Sequence, residues 1–209
     1  MPCNHKFIED LNLENLDFQP TTLIVGTFNP AWPANNQAQW FYGRTQNNYF
    51  WDVLPRLYGE QSLLNANPAE WKQFCSRHKI AITDLISCIG DANRPENDAA
   101  MGGYSDERIA NDFHEHNFVN IVALLEDHPT IKNVYLTRGN APTFWARLWR
   151  PIRRYCNLQK LHENTLLTPS GYAFYQHGRY NNANPHQQIP NLADFILTSW
   201  QEKWHQIEN

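Results

Sequence analysis

Charge is scarce in this chain of 209 residues: Asp, Glu, Lys and Arg together supply 18% of it. Long apolar runs are absent as well, and none approaches the ~20 residues needed to cross a bilayer. With a mean hydropathy of −0.63, a membrane-spanning protein is excluded. Cysteine is sparse and scattered, at Cys3, Cys75, Cys88 and Cys156. No two of these form a C-x-x-C pair, so a zinc ribbon or a clustered iron–sulfur site has no support, and four are too few and too scattered for a disulfide scaffold. Residues 1–10 carry no apolar signal core, and the expectation is free thiols in a reducing cytoplasm. No repeat and no Gly/Ser or Pro linker divides the chain, so a single domain over 1–209 is expected. What the chain has instead is aromatic surface: 8 Trp, 9 Tyr and 11 Phe, or 13%. That content excludes disorder as the main state. The formal net charge of −4 and pI of 6.1 speak against a protein that lives on nucleic acid.

Four short runs lean towards β-structure: Thr21–Phe28, Lys79–Thr83, Ile131–Thr137 and roughly Lys160–Leu167. The first is apolar on both faces, as a buried parallel strand should be. Helical patterns fall between them. Asn48–Tyr58 places Trp51, Leu54 and Leu57 at helical spacing. Pro68 opens a short helix to Arg77. Ser105 caps a helix expected to run through Ile109 and Phe113 to Leu125. Pro142 opens another, in which Pro151 should force a kink or a break. A last helix carries Leu192, Phe195, Ile196, Trp200, Trp204 and Ile207 on one face. Strands alternating with helices predict an α/β fold, a three-layer sandwich with a central, mainly parallel four-stranded sheet flanked by helices.

In such sheets the ligand crevice lies beyond the C-terminal strand ends. The first strand ends in Gly26-Thr27-Phe28-Asn29-Pro30, where Pro30 holds Asn29 extended. It is either an ordinary strand exit or a loop that aims N–H groups and an amide into a crevice. Next comes Trp40-Phe41-Tyr42-Gly43, running on to Asn47-Asn48-Tyr49-Phe50-Trp51. Phe50 and Trp51 are expected to pack inward. Phe41 and Tyr42 are the candidates for stacking on a planar ligand. Asn47 and Asn48 suit helix capping as well as catalysis. The second strand ends in Thr83-Asp84, and Asn140 is placed to cap the helix after the third. The fourth ends in Thr168-Pro169-Ser170-Gly171-Tyr172, a turn with N–H and hydroxyl donors.

The ordered set G-T-F-N-P, an aromatic loop closing on N-x-F-W, a T-D strand end and P-S-G resembles the uracil-DNA glycosylase superfamily. The likeness is to its mismatch-specific uracil/thymine and hypoxanthine-type branches, and it spans about Thr21 to Tyr172. Those branches carry G-I-N-P-G or G-S-F-P-G, an aromatic–H-P-x-N-x-F-W segment and L-P-N-P-S-G or L-P-S-T-S-P. The resemblance implies an enzyme that flips a deaminated or mismatched base, such as uracil or hypoxanthine, out of DNA and hydrolyses its glycosidic bond. By this likeness Asn29 or Asn48 positions the attacking water. Asn29 is displaced by Phe28 from the Asn of G-I-N-P-G, whereas Asn48 matches N-x-F-W. Thr45 and Gln46 stand near the place of the missing His-Pro. Tyr42 matches the aromatic that stacks on the flipped base. Gly26, Thr27 and Phe28 would line the pocket with main-chain donors, with Thr83 and Asp84 at its rim. Thr168, Pro169, Ser170 and Gly171 match the loop that wedges into the duplex.

Residues 172–188, with His177, Arg179 and Tyr180, read either as a polar surface loop or as a further DNA contact. Arg147, Arg150 and Arg154 form a basic strip on the helix after the third strand, suited to phosphates whatever the net charge. The same strip also fits a solvated face paired with acidic neighbours. Nothing calls for a metal or an organic cofactor. The partner implied is DNA with a damaged or mismatched base, with no membrane. A protein that binds a nucleobase, nucleotide or nucleic acid without catalysis is the alternative on the same fold.

Overall fold

The computed structural model describes residues 1–32, 36–43, 47–98, 101, 105–138 and 143–205. Its parallel sheet comprises β2 (Thr22–Gly26), β3 (Ile80–Asp84), β6 (Asn133–Leu136) and β7 (His162–Thr165), in the order β3-β2-β6-β7. All four expected strands are present, and the α/β fold with this four-stranded sheet is the one expected. Every residue of β2, β3 and β6 is buried, whereas β7 at the edge is half-buried throughout. β2 and β3 run in register from Thr22↔Ile80 to Gly26↔Asp84, so their C-terminal ends lie side by side.

A second sheet was not foreseen. β1 (Cys3–Asn4), β4 (Ile86–Ile89) and β5 (His116–Phe118) pair antiparallel in the order β1-β4-β5. β5 explains one correction. The helix expected from Ser105 to Leu125 is two helices, α3 (Asp106–Asp112) and α4 (Ile121–Asp127), with β5 between them. Ser105 does cap α3, accepting from the Arg108 N–H. Asn120 then caps α4 by accepting from Ala123. A second cap in mid-run marks a second start.

The chain forms two compact units: Met1–Gln37 with Lys79–Tyr135 and Asn140–Glu163, and Ala38–His78 with Leu136–Gly139 and Asn164–Asn209. In the first unit, α5 (Thr143–Gln159) buries Trp145, Trp149, Ile152 and Cys156. Pro151 does not break it. The Pro142 start and the Asn140 cap lie outside the described residues.

In the second unit, α1 (Phe50–Leu57) and α2 (Pro68–His78) carry an indole stack. Trp51 lies 5.8 Å from Trp40 and 5.3 Å from Trp71, all near-parallel. Gly43 is required beside it, because a Cβ there would sit 2.5 Å from the Trp71 ring. α7 (Leu192–Gln201) packs on α1 through Trp200 against Phe50 and through Arg56 to Asp194 at 2.6 Å. Ile207 lies outside the described residues. The segment expected as a possible surface loop is folded instead. A 3-10 turn at Gly171–Ala173 leads into α6 (Phe174–Ala183). His177 is buried there and bonds to the Ile189 carbonyl. No helix among the described residues is long and apolar enough to cross a membrane. All four cysteines are free and buried.

Candidate functional site

Within the first unit, the loop leaving β2 meets the end of β3. The Gly26 and Thr27 carbonyls accept from the Leu85 and Ile86 N–H groups, which fixes the loop against the neighbouring strand exit. Asp84 is 5% exposed, and its Oδ2 takes a 2.7 Å hydrogen bond from His5 Nε2. The Phe7 N–H donates to His5 Nδ1, so Nε2 is the nitrogen that carries the proton to Asp84. That leaves Asp84 Oδ1 as an acceptor without a partner among the described residues. Thr27 donates its hydroxyl to Asp106 Oδ1 at 2.6 Å. Phe28 packs edge-on against His5, 5.8 Å between ring centres. Asn29 is 5% exposed, and its Oδ1 accepts from Asn36 Nδ2 at 2.9 Å.

The N-terminal segment closes this group, a role the motif reading missed. It is held to β4 through Cys3↔Ile89 and His5 N–H to Ser87 O. On its other side the Lys6 N–H donates to Asn29 O, and the Ala31 N–H to Asn4 O. His5 and Asp84 are 79 residues apart, and nothing local to either marks the pairing. Thr83 departs from expectation. The pocket rim expected for it does not fit, since it is fully buried and its hydroxyl donates to Leu11 O. Alternate side chains of a strand point to opposite faces, so Thr83 and Asp84 cannot both face one crevice.

Within the second unit, Tyr42 stacks on Phe50 at 3.9 Å and 8°. Its hydroxyl bonds to Thr137 Oγ1 at 2.6 Å. Its φ of 55° is unusual for a bulky side chain. Phe41 corrects the stacking expectation. It is 1% exposed, and its carbonyl accepts from the Trp51 indole, so the ring belongs to the core and has no open face. Asn48 lies against the P-S-G turn, bridged to Ser170. Its Oδ1 accepts from the Phe50 N–H at 3.0 Å, which makes it a helix-start group. The Tyr49 N–H donates to Pro169 O and the Gly171 N–H to Asn47 O. The turn expected to offer free N–H donors therefore spends that of Gly171 internally. Thr168 and Ser170 pair their hydroxyls at 3.0 Å, and Pro169 is buried. Thr45 and Gln46 lie outside the described residues.

Arg138, at the end of β6, is a second group the motif reading passed over. Burial pushes its guanidinium down to about 10, against a smaller opposing influence from the Tyr172 phenol.

The basic strip is on α5. Arg147, Arg150 and Arg154 are all exposed, and Arg150 and Arg154 border a shallow depression with Arg153, Asn157 and Leu158. Arg153 is neutralised by Glu163 at 2.6 Å, and Arg147 lies over the Phe144 ring. Among the described residues Arg150 and Arg154 make no ion pair.

No protein-family model matches the chain, and no curated protein does. Among solved structures, the chain resembles the solution structure of a proposed uracil DNA glycosylase from Methanosarcina acetivorans. The TM-score is 0.52 with 15% identity, over 91% of this chain and 94% of that one. At that identity the likeness is one of fold, and it extends over nearly the whole of both chains.

Proposed function

We propose that this protein is a DNA base-excision glycosylase, which extrudes a deaminated or mismatched base and hydrolyses its bond to the sugar. The observation that carries the proposal is the register Gly26↔Asp84. It sets the G-T-F-N-P loop and an acidic side chain side by side at the C-terminal ends of adjacent parallel strands, where an α/β sheet binds its ligand. The fold shared with a proposed uracil DNA glycosylase supports the same reading.

Base excision needs acceptors that orient water and donors that stabilise the departing anionic base. Asp84 Oδ1 is an available acceptor, while the Asn29 amide nitrogen and the main chain of Thr27 and Phe28 are candidate donors. The partner on this reading is DNA, and the protein's own residues supply the chemistry.

The test incubates the protein with single- and double-stranded oligonucleotides carrying uracil, hypoxanthine, xanthine or a G·T pair, and scores alkali-labile sites. Cleavage of any one is the expected result, and silence on all of them from folded protein rejects the proposal. Asn29→Ala and Asn48→Ala then separate the two amides: the one that abolishes release but keeps binding positions the water.

One observation favours binding without catalysis. Both Asn29 Oδ1 and Asn48 Oδ1 already accept hydrogen bonds inside the protein. Salt-dependent binding of abasic or mismatched DNA with no base release would decide for that reading.

A further inference from the structure

Three large aromatic side chains stand in solvent within four residues. Tyr172 is 67% exposed, Phe174 63% and Tyr175 75%. They follow Ser170-Gly171 directly, in the 3-10 turn and the first turn of α6. Among the other described aromatics Phe118 alone is exposed, and the largest are spent on the core, as in the stack of Trp40, Trp51 and Trp71. Exposing three rings together forgoes the burial that stabilises such side chains elsewhere, and their packing within the unit does not account for it. Phe174 and Tyr175 stand nearly perpendicular, 6.4 Å between ring centres, so they present differently directed faces.

Charge narrows the occupant. Residues 164–193 contain no Asp or Glu. Arg179 is exposed one helical turn from Tyr175. Flat rings, two with hydroxyls, in a stretch without negative charge and with a cation beside them match a chain of planar bases joined by phosphates. Inside a duplex each base face is covered by its neighbours, so rings on a protein surface stack well only on bases that are unpaired.

We propose that Tyr172, Phe174 and Tyr175 form a stacking platform for single-stranded DNA, with Arg179 beside the phosphates. Resting on the excision reading above, this makes an unpaired strand the preferred substrate.

The test measures fluorescence anisotropy of a labelled, undamaged oligothymidine, alone and annealed to its complement, across a salt series. The single strand is expected to bind at least about tenfold more tightly than the duplex. Phe174→Ala and Tyr175→Ala should each weaken single-strand binding about tenfold. They should leave the slope against salt unchanged, because the rings carry no charge. Tyr175→Trp should retain binding, whereas Tyr175→Leu should lose it. Arg179→Gln should reduce the salt slope by about 0.7, the value for one phosphate on a single strand. Circular dichroism checks that these surface variants remain folded.

Equal affinity for single strand and duplex, no binding at low salt, or a Leu variant that binds as well as Tyr overturns the platform. The wild-type base-release assay is run in parallel and keeps the two ideas apart. Release with ring variants unchanged in binding rejects the platform alone. Platform binding with no release from any damaged oligonucleotide rejects excision alone.

Discussion

His5 and Asp84 form a buried pair in which an imidazole N–H meets a carboxylate at 2.7 Å. Hydrogen bonds to a charged group contribute about 1.5–3 kcal/mol, and an unpartnered carboxylate left behind is costly. His5→Ala should therefore lower stability by about 2–3 kcal/mol in urea titration. Asp84→Asn keeps an acceptor for Nε2 and should cost clearly less; equal costs would show that the pair's contribution rests on the charge itself. At Gly43 the constraint is steric. A methyl group would meet the Trp71 ring at 2.5 Å and the Trp40 backbone nitrogen at 3.0 Å. Neither neighbour is a flexible chain end, since Trp71 is buried and stacked. Gly43→Ala should cost about 1–3 kcal/mol, as overpacked cores do, and a neutral result would mean that the indole stack can slide.

Helices α1 and α7 are tied by Arg56, which bonds to Asp52 one turn below and to Asp194 across the helix pair. The Arg56 hydrogen bond holds the Asp194 carboxyl below the usual carboxylate range. Because the folded-state value lies below the unfolded one, the contribution is complete above about pH 4. It is lost as pH falls through the folded value. Asp194→Asn should lower Tm modestly near neutrality, where the contribution is complete, and flatten the acid limb so that the two proteins converge below about pH 4. An unchanged acid limb would show that the pair does not report on folding.

The elements also differ in how far the sequence reveals them. Thr22–Gly26 is apolar on both faces and bounded by turn residues, so its place in the sheet can be read directly. The three-stranded antiparallel sheet cannot. Cys3-Asn4 and His116-Asn117-Phe118 are too short and polar to show alternation, and their pairings depend on contacts far apart in the chain. α6 carries Phe-Tyr-Gln-His-Gly-Arg-Tyr-Asn-Asn-Ala, with no apolar face at helical spacing, which is why it reads as a loop. Of the candidate site, the residues of the strand ends were legible because topology dictates where ligands bind. His5 and Arg138 were not, because His5 acts through a partner 79 residues away and Arg138 is marked by its burial.

At the scale of the whole molecule, a net charge of −4 sets the background for any encounter with DNA, and local cations must overcome it. Arg150 and Arg154 are exposed on α5 and make no ion pair among the described residues. Each phosphate neutralised on duplex DNA adds about 0.9 to the slope of log K against log salt. Arg150→Gln with Arg154→Gln should therefore reduce that slope by up to about 2 and leave base release from saturating oligonucleotide unchanged. An unaltered slope would assign the strip to solvent.

The indole stack of Trp40, Trp51 and Trp71 has a consequence of a different kind. Near-parallel indoles 5.3 and 5.8 Å apart lie close enough for their transition dipoles to couple. Folded protein should show split bands in near-ultraviolet circular dichroism that vanish on unfolding. The unit that holds Tyr42 and Asn48 thus carries its own optical gauge, readable without any label.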